Sequence, residues 1–195
     1  MMLFFKNKMI KVYWENLKSL SPLEKIHWQK NIPQGLAMRR KKNWNSATEV
    51  AQNESLKYGA LAVLADKDHA DWSLSQSADY ILVGYSDQNK IGVDIERIDR
   101  PGKFSDFGLT PTEVKFVKSL NEPELRKFAY LFFWVQKEAI FKCGNFKNFK
   151  PETIQACIEG ESKILGQIMV QDSILERDSM VLFKKGQTIG AISWQ

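Results

Sequence analysis

Ile91-Gly92-Val93-Asp94-Ile95-Glu96 alternates in the manner of a β-strand. Ile91, Val93 and Ile95 fall on one face, and Gly92, Asp94 and Glu96 on the other. Two carboxylates two positions apart lie about 7 Å from each other along the backbone, close enough for their side chains to converge. Like charges aimed at one place disfavour each other's ionisation unless a cation intervenes. A hard cation such as Mg²⁺ answers that need with one or two carboxylates, waters and a substrate phosphate. Gly92 leaves room on the same face for the close approach of a ligand. The plain alternative is an edge strand with a solvated acidic face.

Just before it, Tyr80–Tyr85 is β-rich and Ser86-Asp87-Gln88-Asn89 is a turn cluster, so the two strands read as a hairpin. Met9–Trp14 reads as a further strand. Ser21-Pro22-Leu23-Glu24 carries the capping-box spacing for a helix to about Lys30. Thr48–Leu64 reads as a helix from its apolar spacing, and Thr110-Pro111-Thr112-Glu113 as another helix start. Glu124–Phe141 reads as one long helix with a glycine stop near Gly144. Short apolar runs at Ile164–Val170, Met180–Phe183 and Ile189–Trp194 read as strands. Strands in both halves with segregated helices give an α+β protein, divided into a basic N-terminal half over residues 1–90 and a C-terminal half over residues 91–195.

The long helix is apolar almost all round, which marks it as buried. Three charges on a buried helix are costly unless paired or bound. Glu138 and Lys142 form an i, i+4 pair in the favourable order, which leaves Lys137 unexplained. A phosphate held between Lys137 and Lys142, with Glu138 free to act as a base, accounts for all three. Trp72-Ser73-Leu74-Ser75-Gln76-Ser77 reads either as a serine-rich turn or as a phosphate-binding segment.

Charge is uneven. The first fifty residues hold ten Lys/Arg against three Asp/Glu, in a chain of net charge +5. The densest run is Arg39-Arg40-Lys41-Lys42, a solvated face or a polyanion site. Cys143 and Cys157 are the two cysteines; they make no metal pattern and read as plain thiols of a reduced compartment. Neither His27 nor His69 has a partner pattern for metal or nucleophilic work. The short apolar start is interrupted by lysines, and no stretch approaches a membrane span, so the chain reads as cytoplasmic.

Ser-Leu-Ser-Gln-Ser, Gly-Val-Asp-Ile-Glu, Glu113 and Trp-Val-Gln-Lys-Glu-Ala-Ile-Phe-Lys, in this order, resemble the motif series of 4′-phosphopantetheinyl transferases. The likeness is closer to the larger monomeric, surfactin-synthetase-activating type and covers roughly Trp72 to Lys142. It implies two pseudo-twofold α+β halves with coenzyme A between them. It also implies Mg²⁺ on Asp94, Glu96 and Glu113, and an apo acyl- or peptidyl-carrier protein as acceptor. Lys142 matches a pyrophosphate-binding lysine. Lys137 and Glu138 match a catalytic pair in which the glutamate helps deprotonate the carrier serine, and Glu113 joins them. Ser75 and Gln76 match a coenzyme-binding segment, where Gln76 replaces the family's histidine. A Gly-Lys-Pro motif that contacts adenine is missing, so Arg39 and Arg40 become candidates for the adenosine end by charge alone. A non-catalytic homologue is the second reading. A nucleic-acid binder, the third, explains Arg39–Lys42 but not the carboxylates.

Overall fold

The computed structural model describes residues 2–4, 10–30, 71–100, 106–144, 148–156, 172–177 and 179–195. Among these described residues, eight strands form two antiparallel sheets of four. The first contains β1 (Met2–Phe4), β2 (Ile10–Asn16), β3 (Asp71–Ser77) and β4 (Tyr80–Ser86), in the order β1-β2-β4-β3. The second contains β5 (Ile91–Arg97), β6 (Ser173–Arg177), β7 (Met180–Lys185) and β8 (Thr188–Trp194), in the order β5-β8-β7-β6. Three helices are described: α1 (Pro22–Lys30), α2 (Pro111–Ser119) and α3 (Pro123–Cys143). The mixed fold with segregated helices agrees with the α+β reading. The helix expected over Thr48–Leu64 and the strand expected over Ile164–Val170 lie outside the described residues.

The expected hairpin of β4 with β5 does not form. Both edges of β4 are taken, one by β2 and the other by β3. β5 leaves that sheet and pairs with β8, Ile91 opposite Trp194 and Arg97 opposite Thr188. The turn cluster between them is a crossing from one sheet to the other, and the Ser86 hydroxyl there accepts from the backbone N–H of Gln88 and Asn89. The actual hairpin is β3 with β4, through Ala78-Asp79, and Ala78 adopts a φ of 49°.

The sheets stack face to face. Ile91, Val93 and Ile95 of β5 meet Ile10, Val12 and Leu82 of the first sheet, with Val181, Phe183 and Ile192 beside them. The opposite face of the second sheet meets α3, where Phe128, Leu131, Phe132 and Val135 pack with Leu182, Ile189 and Ala191. β5 is therefore covered on both faces, and the solvated-edge reading of its acidic face fails. A side chain at Gly92 would collide with Ala139 O and Cys143 N of α3. Gly92 thus admits the helix backbone rather than a ligand, and this close crossing brings Asp94 and Glu96 under α3.

Local signals fix the helix starts. Ser21 and Glu24 exchange the two bonds of a capping box, and so do Thr110 and Glu113, satisfying donors that a helix leaves orphaned. Gly144 follows α3 in an extended conformation, φ −83°, so the stop does not use the left-handed geometry that favours glycine.

Candidate functional site

α3 carries two charge clusters on different sides. Lys137 and Lys142 are five residues apart, which turns them roughly 140° from each other around the helix.

Lys137 is fully buried. Its ammonium donates to Glu113 Oε2 at 2.7 Å, Pro151 O at 2.7 Å and Ile154 O at 2.6 Å, which uses all three of its hydrogens. Burial lowers its pKa, against the opposing pull of Glu113. Glu113 is also fully buried. Its carboxylate accepts from Thr110 N at 2.7 Å and from Ala156 N at 2.9 Å besides Lys137. Glu113 was expected among the metal ligands and catalytic groups, and Lys137 among the catalytic groups. The fold instead brings them together as a closed network that ties α2, α3 and the 3-10 turn Pro151–Thr153 to one another. No hydrogen of Lys137 is left for a phosphate, and Glu113 has no open side for a cation.

The second cluster lies where α3 crosses β5. Lys142 Nζ is 2.7 Å from Asp94 Oδ1, 3.2 Å from Val93 O and 3.8 Å from Glu138 Oε2. Asp94 Oδ1 also accepts from Ser75 Oγ at 2.7 Å. Its other oxygen, Oδ2, is buried without a hydrogen-bond partner. Burial pushes the Asp94 carboxyl up to about 6, outweighing Lys142 and Ser75, and the negative charge of Glu138 adds to the rise. Burial raises Glu138 as well; Lys142 opposes this and Glu96 adds to it. Glu138 is thus electrostatically coupled to both carboxylates of β5. Glu96 accepts from Ser77 Oγ at 2.8 Å and from Arg100 Nη1.

Among the described residues, no group of three or more His, Cys, Asp or Glu is arranged to hold a metal ion. With Lys142 in place, one ammonium stands between Asp94 and Glu138. The donors nevertheless suit a hard cation. Asp94 Oδ2 is an unsatisfied buried acceptor, a costly state, and Glu138 adds negative charge beside Asp94 with one lysine between the two. A divalent ion needs only one or two such carboxylates beside waters and phosphate oxygens. Glu138, not Glu113, is the helix-borne carboxylate that shares Lys142 with Asp94. The sequence signal was available: Glu138 and Lys142 lie one turn apart and share a face.

The remaining expectations divide. Ser75 reaches the cluster through its bond to Asp94. Gln76 does not: successive side chains of a strand point to opposite faces, and its amide bonds Ala78 O at 3.2 Å. Arg39 and Arg40 lie outside the described residues, as does Cys157. Cys143 is a buried free thiol. Among the described residues, no helix is long and apolar enough to cross a membrane.

Residues 90–168 match a family model described as the 4′-phosphopantetheinyl transferase superfamily. No curated protein matches the chain. The matched span contains β5, with Asp94 and Glu96, and all of α3, with Glu138 and Lys142.

Proposed function

Because the matched span is the one that carries the carboxylate–lysine cluster, we propose that the chain transfers the 4′-phosphopantetheine group of coenzyme A to a serine of an apo acyl- or peptidyl-carrier protein. The observation that carries this reading is Asp94 Oδ2, a buried carboxylate oxygen without a partner, beside Glu138 and Lys142. Lys142, now on Asp94, would turn to the pyrophosphate of the coenzyme. Asp94, Glu96 and Glu138 would hold Mg²⁺, which neutralises that pyrophosphate and stabilises 3′,5′-adenosine diphosphate as it leaves. The carrier's serine oxygen attacks the phosphorus that bears the pantetheine. A new P–O bond forms as the bond to the adenosine diphosphate breaks, so positioning and charge neutralisation supply most of the acceleration. Glu138, which lies beside Lys142 at the end of the cluster, accepts the serine proton; such a base contributes typically 10²–10⁴-fold.

In this reading the halves 1–90 and 91–195 are the two pseudo-twofold units of the larger monomeric type, and coenzyme A lies between them. Arg39 and Arg40 would serve the 3′-phosphate, and Ser75 acts through Asp94. The acceptor is an acidic helical surface, which suits a basic rim. The setting is the cytoplasm.

A second reading, a homologue that binds a carrier or coenzyme fragment without turnover, is favoured by one observation. Gln76 bonds its own turn instead of facing the carboxylates. Calorimetry with coenzyme A separates the two. The transferase reading predicts binding that tightens markedly when Mg²⁺ is added. Binding indifferent to Mg²⁺, with no transfer, supports the second reading.

A further inference from the structure

β3 lies alongside β5 without backbone pairing, and its side chains make the join. Asp71 Oδ2 accepts from Ile91 N at 2.8 Å, and Ser73 Oγ accepts from Val93 N at 3.0 Å. Ser75 Oγ donates to Asp94 Oδ1 at 2.7 Å. Ser77 Oγ accepts from Arg97 N at 3.0 Å and donates to Glu96 Oε2 at 2.8 Å. Every second residue of β3 takes part and the partners advance in step, so the two strands run parallel, joined by hydroxyls and one carboxylate. Asp71 and Ser73 satisfy outward N–H groups on the edge of β5. Ser75 and Ser77 differ, because each spends its hydroxyl hydrogen on a carboxylate of the cluster.

These bonds have a directional consequence. A hydroxyl has one hydrogen. At Ser77 the Arg97 N–H occupies a lone pair, which leaves that hydrogen aimed at Glu96. At Ser75 the bond fixes Oδ1 of Asp94 against β3 and Lys142, and so turns Oδ2 into the partnerless position. We propose that Ser75 and Ser77 are positioning residues, which hold Asp94 and Glu96 in the rotamers that present their oxygens to a divalent cation. The N-terminal sheet is thereby a working part of the site. The inference rests on the cation reading given under Proposed function. It differs from the coenzyme-contact role that the resemblance implies for Ser75, since it routes that serine's effect through Asp94.

Ser73 supplies the control. It is 7% exposed against 6% for Ser75 and belongs to the same zipper, but it bonds only backbone. The measurement is Mn²⁺ binding by calorimetry to the full chain at neutral pH, with urea unfolding of each variant alongside. Groups that orient metal ligands are typically worth 10–100-fold in affinity, so Ser75→Ala should weaken Mn²⁺ about tenfold while Ser73→Ala changes it by under about twofold. Both variants should lose comparable stability. Ser75→Thr, which keeps the hydroxyl, should remain within about threefold of the wild type. Equal weakening by Ser75→Ala and Ser73→Ala overturns the inference, because the effect would then be general loosening of the zipper. So does a Thr variant as weak as the Ala variant. A wild-type protein that binds no Mn²⁺ gives a different result: it removes the cation reading itself, and the inference with it.

Discussion

Two lysines five residues apart on α3 face opposite fates. Lys137 and Glu113 form a closed pair: fully buried, with every Lys137 hydrogen used and with Thr110 N and Ala156 N completing the carboxylate. Lys142, Asp94 and Glu138 form an open one: partly exposed, with two carboxylates sharing a lysine and one buried oxygen unmet. A closed pair has nothing left to offer a ligand. An open one holds unspent interaction energy, and that is the mark of a binding site. The proposed site residues are therefore chosen by what their neighbours leave undone.

The sharpest way to break this contrast is to remove Lys137. Lys137→Met leaves Glu113 charged in the core, and truncating one member of a buried pair typically costs 3–5 kcal/mol, so urea unfolding should show a loss of about that size. Adding Glu113→Gln should recover part of it. If Lys137→Met unfolds at the wild-type midpoint, the closed pair is not structural.

The open cluster should respond to pH. Asp94 has a folded-state pKa of about 6, above its usual 3.8. A raised pKa means that the folded chain binds the proton more tightly than the unfolded chain. The associated stability is present at acid pH and is lost as pH rises from about 4 through about 6. The full span is worth about 3 kcal/mol. Asp94→Asn should abolish that slope and make the metal-free protein more stable than wild type at pH 8. Cation binding runs the other way and should fade below pH 6, as Asp94 takes up its proton. Chemical denaturation across pH, with and without Mg²⁺, reads both effects.

Glu138→Gln should lower transfer by roughly a hundredfold or more while leaving the unfolding midpoint near that of the wild type. It should also weaken Mn²⁺. Full Mn²⁺ affinity with lost transfer would restrict Glu138 to the role of base. The smallest effect belongs to the helix cap: Thr110→Ala should cost about 1 kcal/mol in unfolding free energy and leave cation binding unchanged.

Local features were legible in the sequence and distant pairings were not. The Ser21–Glu24 capping box and the proline-marked helix start at Thr110 could be read because the residues that set them lie within one turn. The faces of β5 could be read because alternation is intrinsic to a strand. The β4–β5 hairpin misled because adjacency in the chain and a polar turn say nothing about edges already filled by β2 and β3. β3 escaped notice because its inward face is Asp71, Ser73, Ser75 and Ser77, buried by hydrogen bonding instead of apolar contact, and because Ala78-Asp79 carries no glycine or asparagine to announce the turn. Glu113 and Lys137 drew attention as charges near a motif. Only three dimensions reveal that they neutralise each other.

The central claim is that the open cluster on α3 performs phosphopantetheine transfer. Its most direct test is mass spectrometry of several apo carrier proteins incubated with coenzyme A, Mg²⁺ and the full chain. The account predicts that at least one carrier gains a single phosphopantetheine on serine, and that Glu138→Gln loses most of this product while Ser73→Ala retains it. No modified carrier under any of these conditions, or undiminished transfer by Glu138→Gln, would contradict it.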